Sequence, residues 1–172
     1  MASTYNLIFG QTLTSTAATI TFSSIPSIYT DLKLVASMRS DYVGAFDGFT
    51  LQFNTDTATN YSFTRLDGDG SSMSTSRVSS SAPTIVGTIT GAGATASTFA
   101  SAEIYIPNYL AASSKQISID SVSERNVSGA NMEANAYLWR NTAAINQIVI
   151  NRQLGTVFEI GSSFYLYGIK NS

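Results

Sequence analysis

The sequence predicts an all-β fold: an antiparallel two-sheet sandwich of jelly-roll type built from about ten to eleven short strands. Three observations carry that expectation. Apolar residues recur with a period of two rather than 3.6, clusters of Gly, Pro, Asn and Asp punctuate these runs, and no window offers ten residues of amphipathic helix.

Taken in order, TAATITF (16–22) is the first predicted strand. In DLKLVASMR (31–39), Leu32, Leu34, Ala36 and Met38 share one face, while Lys33, Ser37 and Arg39 share the other. GFTLQFN (48–54) directs Phe49, Leu51 and Phe53 inward and Thr50 and Gln52 outward. YSFTRL (61–66) alternates in the same way, and APTIVGTI (82–89) follows. TFASAEIYI (98–106) groups Ala100, Ala102, Ile104 and Ile106, and QISIDSV (116–122) groups Ile117 with Ile119. EANAYLW (133–139), INQIVI (145–150), TVFEI (156–160) and FYLYGIK (164–170) complete the set. In the last of these, Tyr165 and Tyr167 alternate with Phe164 and Leu166; if both faces are covered the strand is central or lies at a subunit interface, the alternatives being tyrosines that stack on sugars or ordinary surface tyrosines. The nearest approaches to helix are single turns at 108–113 and 142–144.

Between the strands lie turn signals such as Ile25-Pro26-Ser27, Asp67-Gly68-Asp69-Gly70, Pro107-Asn108 and Gly161-Ser162. Two low-complexity stretches, SSMSTSRVSSSA (71–82) and GAGATAS (91–97), read as surface loops able to order against a partner. The whole chain, 1–172, is read as one domain, with an N-terminal segment (1–15) placed to contact neighbours through the alternating Tyr5, Leu7 and Phe9. At 18.3 kDa, folding buries roughly 69% of the unfolded chain's surface, enough for a core without staples.

Composition removes much chemistry. Without Cys there are no disulfides, thiolate nucleophiles or Cys-ligated metals; without His there are no Ser-His-Asp triads, HExxH zinc sites or imidazole proton shuttles. Lys33, Arg39, Arg65, Arg77, Lys115, Arg125, Arg140, Arg152 and Lys170 are scattered, and the net charge is −2, so nucleic acid is not an expected partner. No stretch approaches 18 apolar residues and no signal-like N-terminus is present, so neither a membrane span nor a cleaved leader is expected. Charged residues make up only 12%, against 46 serines and threonines. The surface is therefore one of hydroxyls and amides, suited to close packing against other subunits.

The motifs that remain fall short of sites. In DGDGSS (67–72) the calcium-loop register fails, because Ser72 stands where Gly is needed and Val78 where a bidentate Glu is needed. A plain Asp-Gly hairpin turn is the expectation there. Asp56 in NTDTATN (54–60) is a single carboxylate among hydroxyls and amides. Glu103 with Glu124, or Glu133 with Glu159, could pair as glycosidase carboxylates, but all four read as solvent-facing. No Ser-x-x-Lys, Walker A or GxGxxG pattern occurs, and the sequons at Asn60 and Asn126 carry little without a secretory signal. No catalytic, cofactor-binding or metal-binding residue is predicted, no cofactor is expected, and the protein is not expected to be an enzyme.

The segments IPSIYTDLKLVASMRSD (25–41), FNTDTATNYSF (53–63), IYIPNYLAASSKQISIDS (104–121), WRNTAAINQIVI (139–150) and FEIGSSFYLYGIK (158–170) together resemble a group of small virion proteins of tailed bacteriophages, cyanophages among them. The resemblance implies a jelly-roll β-sandwich that assembles as a homo-oligomer, with a trimer favoured. It implies a capsid decoration or cement protein, made in the host cytoplasm, that sits on the particle surface against the major capsid protein or other virion proteins. The alternative it implies is a tail fibre, receptor-binding or adaptor module whose Tyr-rich loops recognise host surface glycans.

Overall fold

Alternation becomes pleat in the computed structural model, which describes residues 4–124 and 129–170. The strands are β1 (Tyr5–Thr12), β2 (Ile20–Phe22), β3 (Asp31–Met38), β4 (Phe46–Phe53), β5 (Tyr61–Gly68), β6 (Met73–Ser81), β7 (Ile85–Thr90), β8 (Ala100–Ile106), β9 (Lys115–Ser123), β10 (Asn131–Trp139), β11 (Ile148–Arg152) and β12 (Ser163–Ile169). They form a long sheet in the order β1-β12-β3-β8-β9-β10-β5-β6 and a short sheet in the order β2-β11-β4-β7. Every strand pairing is antiparallel, and no helix occurs among the described residues. The fold is thus an all-β, two-sheet arrangement, as a β-sandwich requires; this strand order does not establish jelly-roll connectivity. Arg125 and the Asn126 sequon lie outside the described residues.

Two strands were not expected. MSTSRVSSS, read as a loop, is β6, because the Asp69 carboxylate gathers the Ser71 and Ser72 amides at 2.8 and 2.6 Å and closes a hairpin that lays residues 73–81 along β5. YNLIFGQT is β1, paired with β12. One expected strand is missing: TVFEI (156–160) makes only isolated bridges from Phe158 to Ala17 and Ser40. There the Asp41 carboxylate accepts from the Thr156 and Val157 amides at 2.6 and 3.1 Å, a local alternative to a ladder. The second low-complexity stretch is a fixed turn: the Arg39 guanidinium donates to the Ala92, Ala94, Thr95 and Thr98 carbonyls and holds it down.

Between the sheets the core is aliphatic at one end and aromatic at the other. Leu32, Leu34, Ala36 and Met38 of β3, with Ile104, Ile106, Phe164 and Leu166, are fully buried as their spacing predicts. Tyr61 stacks on Tyr137 at 5.6 Å and 17°, and Phe53 tilts against Trp139 at 5.5 Å. Each polar tip finds a partner: Tyr137 Oη donates to the Leu51 carbonyl at 3.0 Å, Tyr61 Oη to that of Asp56 at 3.0 Å, and Trp139 Nε1 to the Asp56 carboxylate at 2.8 Å. Burial pushes the Tyr61 phenol up to about 12. The long sheet's aromatics thereby tether β4 and the loop that follows it.

A second set of inward residues is polar. β7 is an edge of the short sheet, and its free edge lies against β9 and β10. Ser121 Oγ accepts from the Thr88 amide at 2.9 Å, Asn135 Nδ2 donates to the Val86 carbonyl at 3.3 Å, and Thr90 shares a 2.9 Å hydrogen bond with Ser123. Side chains of one sheet thus satisfy the exposed backbone edge of the other. The approach is close: a Cβ on Gly87 would meet the Phe49 ring at 2.3 Å and Ser121 Oγ at 2.7 Å.

Candidate functional site

With inward residues used for the core, function falls to outward ones, and the broadest outward surface is the outer face of the long sheet. Its register sets side chains in rows across the strands. One row runs Leu7, Tyr167, Lys33, Tyr105, Ser118, Ala136, Thr64 and Arg77. The next includes Val35, Glu103, Asp120, Ala134, Leu66 and Thr75, and the one beyond it ends in Val122, Met132, Gly68 and Met73.

Side-chain size gives the face relief. Ala134 and Ala136 leave the outer surface of β10 low, while Tyr105 on β8 and Leu66 on β5 stand up on either side. The result is a groove of about 690 Å³ whose floor is Ala134, Ala136 and Ser118, with Gln116 and Leu138 toward one end and Asp120 toward the other. That volume lies within the usual span of ligand sites, roughly 300–1,000 Å³. From the row of Gln116 to the row of Asp120 is about 13 Å, and from β8 to β5 about 14 Å. Beyond Tyr105 a smaller recess continues toward Tyr5, Lys33 and Glu103.

The polar groups here are unevenly committed. Tyr105 Oη donates to Asp31 at 2.7 Å, an arrangement that fixes the ring and, with the anion beside it, raises the phenol's pKa. Glu103 is 2.8 Å from Lys33 Nζ, and that hydrogen bond raises the lysine in turn. Asp120 stands directly opposite Glu103 across β8 and β9. Six of the seven aspartates accept hydrogen bonds inside the protein, namely Asp31, Asp41, Asp47, Asp56, Asp67 and Asp69. The Asp120 side chain has no partner among the described residues, and neither has that of Gln116.

The carboxylates weighed from sequence fall differently. Asp56 accepts from Ala58, Asn60, Trp139 and Asn141; burial opposes its charge, but these four donors outweigh it and hold the carboxyl below its ordinary range. Its lone pairs are filled by N–H groups, so a metal there would have to displace them. Asp69 is the hairpin-turn residue expected of DGDGSS. Glu103 faces solvent as predicted, but Glu133 does not: it is 6% exposed, on the inward face of β10 in phase with Tyr137. Burial raises its pKa, opposed by Arg65, whose Nη1 is 3.6 Å away, and Arg65 also grips Asp67 at 2.8 Å. Glu133 lies opposite Asp67 and Ser121 rather than beside Glu159, and Glu103 opposes Asp120 rather than Glu124, so neither of the pairs weighed and set aside from sequence assembles. No group of three or more carboxylates that could hold a metal occurs among the described residues.

Of the N-terminal trio, Phe9 turns inward onto Phe22 at 5.1 Å, whereas Tyr5 and Leu7 are more than half exposed. The groove residues Gln116, Ser118 and Asp120 were visible as the outward phase of QISIDSV. What brings them to Tyr105, Ala136 and Leu66 is register between strands, which no local spacing records.

No family model matches the chain, and no curated protein matches it by sequence. Among solved structures it is similar to CG-16, a homodimeric agglutinin from chicken liver, at 14% identity over 85% of this chain and 98% of that one, with a TM-score of 0.36. A likeness of that degree carries no argument about ligand or origin.

Proposed function

We propose that this chain is a non-enzymatic structural protein of a tailed-phage virion, a capsid decoration protein that binds the assembled head as an oligomer and stabilises it. The observation that carries the reading is the outer face of the long sheet. Leu7, Val122, Met132 and Met73 stand exposed there at 58%, 44%, 62% and 74%, and Lys33 with Glu103 is its one ion pair among the described residues. Apolar side chains spread over a weakly charged face suit a broad packed contact whose strength varies little with salt. The phage-like segments of the sequence support the same reading. A protein that binds the assembled shell and not its free subunits stabilises the shell by mass action.

The test is to mix purified protein with assembled heads and with unassembled capsid subunits, and to locate its density in electron-microscopy maps of the intact virion. Binding to heads alone, with on the order of hundreds of copies per particle, is the expected result. A handful of copies confined to the tail would overturn it.

A further inference from the structure

We propose that the groove over β10 is a binding site for a neutral oligosaccharide; it shares the outer face of the long sheet with the packed contact proposed above, so the free protein is the form that binds sugar. The argument starts from what the groove can satisfy. Its floor belongs to strands in the interior of the sheet, flanked on both sides, whose backbone N–H and C=O groups are already paired in ladders. A peptide laid there would find no strand edge to extend and would bury its own amides against Ala134 and Ala136 without partners. A pyranose is differently constituted: it presents a C–H face able to lie on a shallow apolar floor and beside an aromatic ring, while its hydroxyls point sideways and outward.

The groove has that same division. Ala134, Ala136 and Leu66 supply the apolar bed, and the Tyr105 ring, held by Asp31, stands as a fixed wall. At the two ends, Asp120 and Gln116 carry side chains that make no internal hydrogen bond among the described residues, in a protein that commits every other aspartate to its own backbone or side chains. A carboxylate accepts from two hydroxyls and an amide both donates and accepts, the combination that fixes a sugar's orientation. The extent of the platform, about 13 by 14 Å, accommodates rings linked end to end. Charge sets the class: Asp120 faces Glu103 across the ladder, and the two cations bordering the groove and its recess are already committed, Arg65 to Asp67 and Glu133 and Lys33 to Glu103, so uronate or sialate groups would meet an unpaired carboxylate, whereas neutral hydroxyl donors are matched.

The experiment is ¹H–¹⁵N NMR titration of the full chain with maltose, cellobiose, lactose and a neutral O-antigen oligosaccharide, with an oligogalacturonate as the acidic arm. The expected result is saturable shifts at residues 64–66, 105, 116–120 and 134–138 with at least one neutral probe and none with the acid. Asp120→Asn should then weaken that probe about tenfold, the loss of one charged hydrogen bond. Ala136→Arg, at an exposed position that folding does not constrain, should abolish binding with an unchanged melting temperature. Absence of shifts with every neutral probe, shifts confined to other faces, or equal response to the acidic probe would overturn the proposal. So would concentration-dependent shifts at these residues without sugar, since a second copy would then be the occupant.

Discussion

Asp56 shows how much of this fold hangs on single side chains. One carboxylate collects the Trp139 indole, two Asn amides and a backbone N–H from both sides of the β4–β5 turn and from the end of β10. Asp56→Ala strands the indole N–H of a fully buried tryptophan, and a loss of about 3 kcal/mol in urea unfolding is expected. Because the folded carboxyl lies below its ordinary range, its contribution is complete above about pH 4 and is lost as pH falls through the folded value. Lys115 plays the corresponding part for cations. Its ammonium, 1% exposed, donates to the Ala111, Ser113 and Ala143 carbonyls at 2.7, 2.6 and 2.9 Å and sits 5.7 Å from the Trp139 ring centre, with burial lowering its pKa. Lys115→Met keeps the stem but strips three carbonyls of their donor, and should cost about 3 kcal/mol by the same measurement. Glu133 runs the other way. Burial raises it, so the folded chain keeps a proton that the unfolded chain releases near pH 4, and stability falls as pH rises. Glu133→Gln should therefore gain on wild type as pH rises above about 4 and lose that advantage below; a pH-independent difference would contradict the assignment.

At the scale of elements, edge management explains both the polar interior and the sequence's misreadings. β2 is only three residues long, and β7 is capped by Ser121 and Asn135, two of the usual ways to close an edge. Ser121→Ala would leave the Thr88 amide facing a methyl group. A loss of about 1–3 kcal/mol is expected, together with faster hydrogen exchange at Thr88 and no change at β3. Strands whose apolar alternation is strong, such as β3 and β8, were legible because one phase must be buried. β6 was not: its serines fit no apolar phase, and it is a strand only because β5 offers it an edge and Asp69 turns the chain. TVFEI has the alternation and still fails, since Asp41 takes two of its amides. Glu133 was legible in principle, since phase with Tyr137 and Trp139 outranks the habit of placing carboxylates outside.

For the molecule as a whole, the two-sheet class followed from pattern, but strand order did not. The groove depends on β5 lying beside β10, a neighbour set by packing between distant segments, as well as on the consecutive strands β8, β9 and β10. All-β folds with such non-local pairings reach the native state in milliseconds to seconds, and stopped-flow refolding by Trp139 fluorescence should fall in that range. A microsecond phase carrying the full amplitude would contradict the topology.

One pairing bears on how the protein is made. β12 lies between β1 and β3, so the first of the twelve strands to be synthesised needs the twelfth as its neighbour. Once emerged, YNLIF has no partner and β3 lacks one neighbour until residues 163–169 clear the exit tunnel. The nascent chain therefore carries an open apolar edge for all the time that separates the synthesis of β1 from that of β12, and a chaperone able to shield β1 over that interval is expected to improve closure of the long sheet.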